Sequence, residues 1–338
     1  MAVDLTVILF QIGFTAILTL GLFLFGGLTL GIFQKLRGTT LKVYKPFLEV
    51  FKLSFKEPSK QATTSASARA LVLAAWIISS FAVILWVPLG SLPELPPEVN
   101  WLLLPNIFGN FQLFAMFGFL MIYPVGLMIL CFLSQRKASI LNLKSLSEDF
   151  FSAFITFVLS SFSLLLIYFG GFNFAQFPSM NELIAFQAAI PGIPMTVLSF
   201  SKYLGLLNPL ALVAFFAIMP VVYHPLEFGS GFISKKWTPI SDYSAKSLAW
   251  IKVVDMLRLV ALAALFIDLF LGGAQFTSIW YIDVPLFFAI LLVVVVLLSF
   301  VKQRTEKWIL DKQLSGFIHV HTIIALAALV LSIVLVYA

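Results

Sequence analysis

The sequence predicts an all-α polytopic membrane protein: eight transmembrane helices, one interfacial amphipathic helix after the first span, and both termini on the outer side. Three observations predict it. Of the 338 residues, 61% are hydrophobic and only 11% are charged, with a mean hydropathy of +1.05. A soluble domain of this size cannot hide that much apolar surface. Eight segments are long and apolar enough to cross ~30 Å of hydrocarbon, which takes about 20 helical residues. Finally, the basic residues fall in alternate links, the charge asymmetry that orients a polytopic chain.

In chain order the spans fall near Leu5–Phe33, Ala70–Leu89, Phe111–Leu133, Phe150–Phe169, Leu204–Val222, Leu248–Leu271, Val284–Val301 and Phe317–Tyr337. Links after the odd spans are basic: Lys35 to Arg69 after the first, Arg136, Lys137 and Lys144 after the third, Lys235, Lys236 and Lys246 after the fifth, and Lys302, Arg304, Lys307 and Lys312 after the seventh. The link after the second span has Glu94 and Glu98 and no base. The link after the fourth has Lys202 only at its end, and the link after the sixth has Asp283 and no base. The basic face is therefore inside and the whole chain, 1–338, forms one integral membrane domain. The two Pro- and Gly-rich outer links read as surface connectors, with a short helix expected over Asn181–Ala189.

Residues 44–57 organise the first inner link. Lys45, Glu49, Lys52 and Lys56 share one helical face, and Tyr44, Phe47, Leu48, Phe51 and Phe55 share the other. Pro46 suits a first helical turn, where its missing N–H costs nothing. Too short and too charged to span, this segment is expected to lie at the interface, aromatics in the acyl boundary and lysines at the headgroups. An ordinary snorkelling juxtamembrane helix has the same composition.

Ionisable residues also occur at membrane depth. Lys252, Asp255 and Arg258 follow at three-residue spacing in the sixth span, so one face of that helix presents plus, minus, plus. Such charges must pair, face a wet cavity or meet a partner subunit, and a structural ion-pair network competes with a functional one. Asp268 and Asp283 are expected near the outer headgroups. Glu148 and Asp149 are expected at the inner start of the fourth span, where acids complement a helix N-terminus. The inner loop 224–246 is long, Gly-rich and charged; it carries Glu227, Asp242 and Tyr243 and is suited to docking a soluble partner or lining a cavity.

The remaining residues exclude several chemistries. The lone Cys131 rules out an internal disulfide framework and a cysteine-ligated cluster built by this chain alone. Three scattered histidines do not make a haem-rich carrier, and no phosphate-binding loop, dinucleotide turn or HExxH motif occurs. The net charge of +6 is spent on topology rather than on nucleic acid. The first apolar run lacks a basic n-region and a small-residue cleavage site, so it is expected to be a retained span.

Three stretches, in order, carry a family resemblance: KPFLEVFKLSFKE at 45–57, SQRKASIL at 134–141, and DYSAKSLAWIKVVD at 242–255 followed by LFLGG. They resemble the membrane-anchor family of respiratory complex I (NADH–quinone oxidoreductase), which in mitochondria is the first NADH dehydrogenase protein. They equally resemble the homologous membrane anchors of membrane-bound nickel–iron hydrogenase and sulfane-sulfur reductase complexes. Asp242 and Asp255 stand at glutamate positions of that family, and Glu49 stands at an aspartate. The chain departs from the family's acid-rich inner loop: His224-Pro225-Leu226-Glu227 replaces Arg-Pro-Pro-Phe-Asp, and Phe154 stands where a glutamate is expected inside the fourth span.

The resemblance implies a non-catalytic anchor and coupling subunit that binds no redox cofactor itself. Its partners would be the catalytic and iron–sulfur subunits of a docked soluble arm and antiporter-like membrane subunits that move H⁺ or Na⁺. The thinned acids favour a hydrogenase- or sulfur-reductase-like complex over a quinone-reducing one. The alternative is the quinone-binding subunit of a divergent NADH–quinone oxidoreductase, with quinone at the interface with the arm. Lys45, Glu49, Lys52, Lys56, Arg136 and Lys137 are assigned to docking or to a lateral opening. Asp255, Asp242, Glu227, Lys252 and Arg258 are assigned to charge or proton coupling. The implied location is the plasma membrane with the basic links cytoplasmic. A secondary transporter is the rival from another class, although no inverted half-repeat with broken helices is evident.

Overall fold

The computed structural model describes residues 21, 24–32, 34–36, 42–55, 65–86, 112–133, 137–170, 180–189, 204–223, 244–274, 280–310 and 314–337. Among them there is no strand. The helices are α1 (Leu24–Leu36), then α2 (Lys45–Ser54), α3 (Ala66–Trp86), α4 (Gln112–Leu133), α5 (Lys137–Phe169), α6 (Met180–Ala189), α7 (Leu204–Leu207), α8 (Pro209–Tyr223), α9 (Ala245–Leu271), α10 (Trp280–Leu310) and α11 (Leu314–Tyr337), with a 3₁₀ turn at Gly272–Ala274. By length and apolarity five of them, α3, α4, α5, α10 and α11, can cross a membrane, and α1 and α8 are shorter apolar helices. α9, 27 residues long, carries Lys252, Asp255, Arg258 and Asp268 within its apolar stretch, where each of those five holds an apolar window with at most two charges.

α9 is the axis of the molecule. It packs against α2, α3, α6, α7, α8 and α10, and every residue from Met256 to Phe270 is buried. A helix buried all round is expected to be apolar all round, which makes Arg258 and Asp268 within that stretch the more informative. Its start is set by Ser244, whose hydroxyl accepts from the Ser247 N–H at 3.4 Å. Its end is set by Gly272, at φ 62°, whose N–H returns to the Ile267 carbonyl; a side chain at that left-handed position is strained.

Around this axis α5 packs on α8 and α11, and α3 on α4. Phe157 stacks on Phe215 at 4.1 Å and Phe215 meets Phe270 at 5.0 Å, linking α5, α8 and α9 through one aromatic row. Polar groups fasten the seams, since apolar contact alone does not distinguish a helix from lipid. Thr156 and Thr322 share a 2.7 Å hydrogen bond between α5 and α11. The Asn208 amide donates to the Ala328 carbonyl at 2.8 Å and to Ser332 Oγ at 2.7 Å. α1 lies close on α2 because Gly27 faces the Phe47 ring and Gly31 faces the Val43 carbonyl, positions where a Cβ would collide.

Several expectations from the sequence meet their outcome here. The short outer helix expected over Asn181–Ala189 is present as α6, and Pro46 sits in the first turn of α2. The helix over the fourth span begins at Lys137, not near Phe150. Glu148 therefore lies in a helix interior, exposed, and does not complement an N-terminus. The fifth span is interrupted at Asn208, because Pro209 opens a new helix whose Ala211 N–H is capped by Asn208 Oδ1 at 3.1 Å. The seventh continues through Lys302, which is fully buried rather than part of a solvated link. Asp268 and Asp283 are both 0% exposed, so neither reaches headgroups.

Candidate functional site

Two of the charged residues of α9 reach different neighbours, with a third between them. One turn apart along the helix, Lys252, Asp255 and Arg258 begin at the edge of the structure and end in its core. Lys252 Nζ lies 3.6 Å from Glu49 Oε2 of the amphipathic helix α2. The other oxygen, Glu49 Oε1, lies 3.7 Å from Lys45 Nζ, so one carboxylate bridges two ammonium groups. All three side chains are about one-third to one-half exposed, and each such pair contributes ~1 kcal/mol or less. Its value is positional: it sets where α2 sits against α9.

Arg258, only 3% exposed, has a different environment. Its Nη1 donates to the Tyr223 carbonyl at 3.1 Å and its Nη2 to the Val222 carbonyl at 3.2 Å. These are the last two residues of α8, so the guanidinium caps the negative end of that helix. Its carbon lies 3.7 Å from the centroid of the Tyr123 ring of α4 and 5.7 Å from that of Tyr223, and Tyr123 stacks in turn on Trp76 of α3 at 4.7 Å. A desolvated cation over an aromatic face gains about 2 kcal/mol. Gly126, one turn beyond Tyr123, leaves the room that the Trp76 ring occupies. Between the two cations, the Tyr223 hydroxyl donates to the Asp255 carbonyl at 3.0 Å, and the Asp255 carboxylate acts electrostatically on Arg258.

The arrangement gathers residues that the sequence placed in two sets. Lys45 and Glu49, assigned to docking, and Lys252, Asp255 and Arg258, assigned to coupling, lie in succession from α2 to the end of α8. Lys52 is exposed on α2. Lys137 is the first residue of α5. Lys56, Arg136, Glu227 and Asp242 lie outside the described residues. Tyr123, Tyr223, Trp76 and Gly126 were not singled out from sequence. The available signal was a tyrosine within each of two otherwise apolar runs, since a buried Tyr offers a π face and a hydroxyl together.

Next to this path a lateral groove of about 420 Å³ opens between α3 and α9, lined by Arg69, Leu73, Ile77, Ser244, Ser247 and Trp250. Among the described residues no three His, Cys, Asp or Glu side chains are grouped to hold a metal ion. Among the described residues of the site no nucleophile lies beside a base.

Fold and site together define a polytopic helical membrane protein built on one charged central helix with an amphipathic helix packed against it. The chain belongs to the NADH dehydrogenase family, whose family model matches residues 7–333. It is a membrane subunit of the complex I-like kind. Its fold is similar to that of a chain in the structure of the membrane-bound sulfane sulfur reductase, an archaeal respiratory membrane complex, at a TM-score of 0.69 and 15% identity, covering 94% of this chain and 98% of that one. No curated protein matches the sequence.

Proposed function

We propose that the protein is the membrane anchor and coupling subunit of a multisubunit respiratory-type oxidoreductase, nearer to a sulfur-reductase or hydrogenase complex than to a quinone reductase. In this reading eight spans run with both termini outside and the basic links on the cytoplasmic face of the plasma membrane. A soluble arm carrying iron–sulfur clusters and the catalytic subunit docks on that basic face, on Lys45, Lys52, Lys56, Arg136 and Lys137. The chain itself holds no redox cofactor. Antiporter-like membrane subunits take up the free energy of electron transfer and move H⁺ or Na⁺.

The observation that carries this reading is the pairing of Glu49 with both Lys45 and Lys252, on a helix whose next two charges, Asp255 and Arg258, lead to the end of α8. A docked arm acts first on α2. A change in charge there alters the pull on Lys252, and any change felt at Arg258 alters its hold on the end of α8, from which the inner loop 224–243 departs. Glu227 and Asp242 of that loop are assigned to the same coupling path. An ion pair and a helix cap are each discrete contacts that can be made or broken, which is what a coupling element needs.

Purification in mild detergent through a tag on this chain, followed by mass spectrometry of what accompanies it, tests the proposal. Iron–sulfur proteins and antiporter-like membrane subunits are the expected companions. A monodisperse chain alone, with substrate-dependent flux in vesicles, would overturn the anchor role in favour of a secondary transporter.

A further inference from the structure

Asp268 lies thirteen residues beyond Asp255 on α9, about 20 Å further along the helix. It is 0% exposed, and neither of its carboxyl oxygens has a hydrogen-bond partner among the described residues. The amide side chain packed beside its backbone is already committed. Gln187 of α6 donates through Nε2 to the backbone carbonyls of Asp268 at 3.0 Å and Leu269 at 3.4 Å, and its Oε1 accepts from the Leu204 N–H at 3.1 Å. Gly273 presents no side chain to the carboxyl; a Cβ built there would lie 3.3 Å from Asp268 Oδ1 and 2.9 Å from the Ile184 Cδ1.

Among the described residues no cation faces it either. On the elements packed about this end of α9, the described ionisable groups are Glu182 of α6, Tyr168 of α5 and Asp283 of α10, none of them a cation. The first base on α10 is Lys302, nineteen residues or about 28 Å of helix from Asp283. A buried carboxylate without donors or a cation costs several kcal/mol, whereas the neutral acid leaves one O–H donor and one carbonyl acceptor unmatched and no net charge. The described surroundings therefore favour the protonated form. Among the described residues, the ten-residue α6 and the Gly272–Ala274 turn, with both glycines in left-handed conformations, lie beside it.

We propose that Asp268 is an exchangeable proton-binding carboxyl at the end of α9 opposite Asp255, loading its proton from the water at that membrane face and returning it there. The site goes beyond the anchor and coupling reading and does not depend on it, because it needs no partner subunit. Binding forms one O–H bond on the carboxylate and takes one proton from water; release reverses both.

The test is infrared difference spectroscopy of the full chain in membranes with whatever copurifies, wild type minus Asp268→Asn, near neutral pH. Asparagine keeps the shape and cannot ionise. The expected result is a neutral carboxylic-acid carbonyl band that the variant lacks and that shifts after transfer to D₂O. Absence of the band would overturn the proposal, since the group would then be ionised. A band that never shifts in D₂O would overturn it too, leaving a static buried acid. Wild-type protein carrying carboxyl-¹³C aspartate reads the same carbonyl by its isotope shift, so the experiment stands even where the variant does not fold.

Discussion

Lys252 of the central helix and Glu49 of the amphipathic helix α2 meet at 3.6 Å, although about two hundred residues separate them in the chain. This contact joins an amphipathic helix to the charged axial helix. Because both side chains are about one-third exposed, the pair fixes position more than it adds stability.

Glu49→Gln should therefore change the unfolding free energy by ~1 kcal/mol or less. Its effect should appear instead in how firmly the soluble arm is retained during detergent purification, and should exceed that of Lys52→Gln on the exposed side of the same helix. Equal retention in the two variants would detach Glu49 from docking.

Arg258→Ala strips two carbonyls of α8 of their donor, removes a cation from the Tyr123 face and leaves Asp255 without its neighbour. A loss of about 3–5 kcal/mol in unfolding free energy is expected. Arg258→Lys should recover less than half, since an ammonium cannot fork to two carbonyls while lying flat on a ring. Tyr123→Leu should cost less than Arg258→Ala, by removing only the ring.

Asp255→Asn keeps the shape beside Arg258 and removes the charge. Assembly should survive while ion translocation per turnover falls by ~5–30-fold, the range that 1–2 kcal/mol of lost coupling allows. Unchanged translocation and turnover would remove Asp255 from the coupling path.

Gly126→Leu forces Trp76 out of its slot between α3 and α4. Overpacking there should cost about 1–3 kcal/mol. Tryptophan emission should shift with it in the variant, and should not in Gly118→Leu, where the added side chain meets open space.

Asn208→Ala removes a helix cap and two bonds to α11 at once. The expected loss is ~1–3 kcal/mol, measured as thermal unfolding in detergent. Asn208→Ser should restore the cap alone and so recover part of it.

Apolar length and periodicity made most elements legible. The fourth, sixth and eighth runs appear as helices over the expected residues, and the amphipathic pattern at 44–57 appears as α2 over its described part. Helix ends were less legible where a helix continues past the apolar run: α5 reaches back to Lys137 and α10 onward to Leu310, because polar residues with good helical propensity extend a helix that is already nucleated. Within the candidate site, the charges of α9 stood out by their rarity, whereas Tyr123, Tyr223 and Trp76 looked like three more aromatics among many.

Composition and pattern by themselves determined that this chain is helical, that it is a membrane protein, and that α9 carries charges needing partners. All of this follows from local physics: a run of apolar residues long enough to span, and the cost of an ion away from water. Only the tertiary structure decided which partners those charges have. Lys252 finds Glu49, Arg258 finds the end of α8 and the face of Tyr123, and Asp268 finds neither a cation nor a donor among the described residues. Pairing of this kind depends on which helices lie side by side, a property of packing between distant segments that no spacing along one helix can encode.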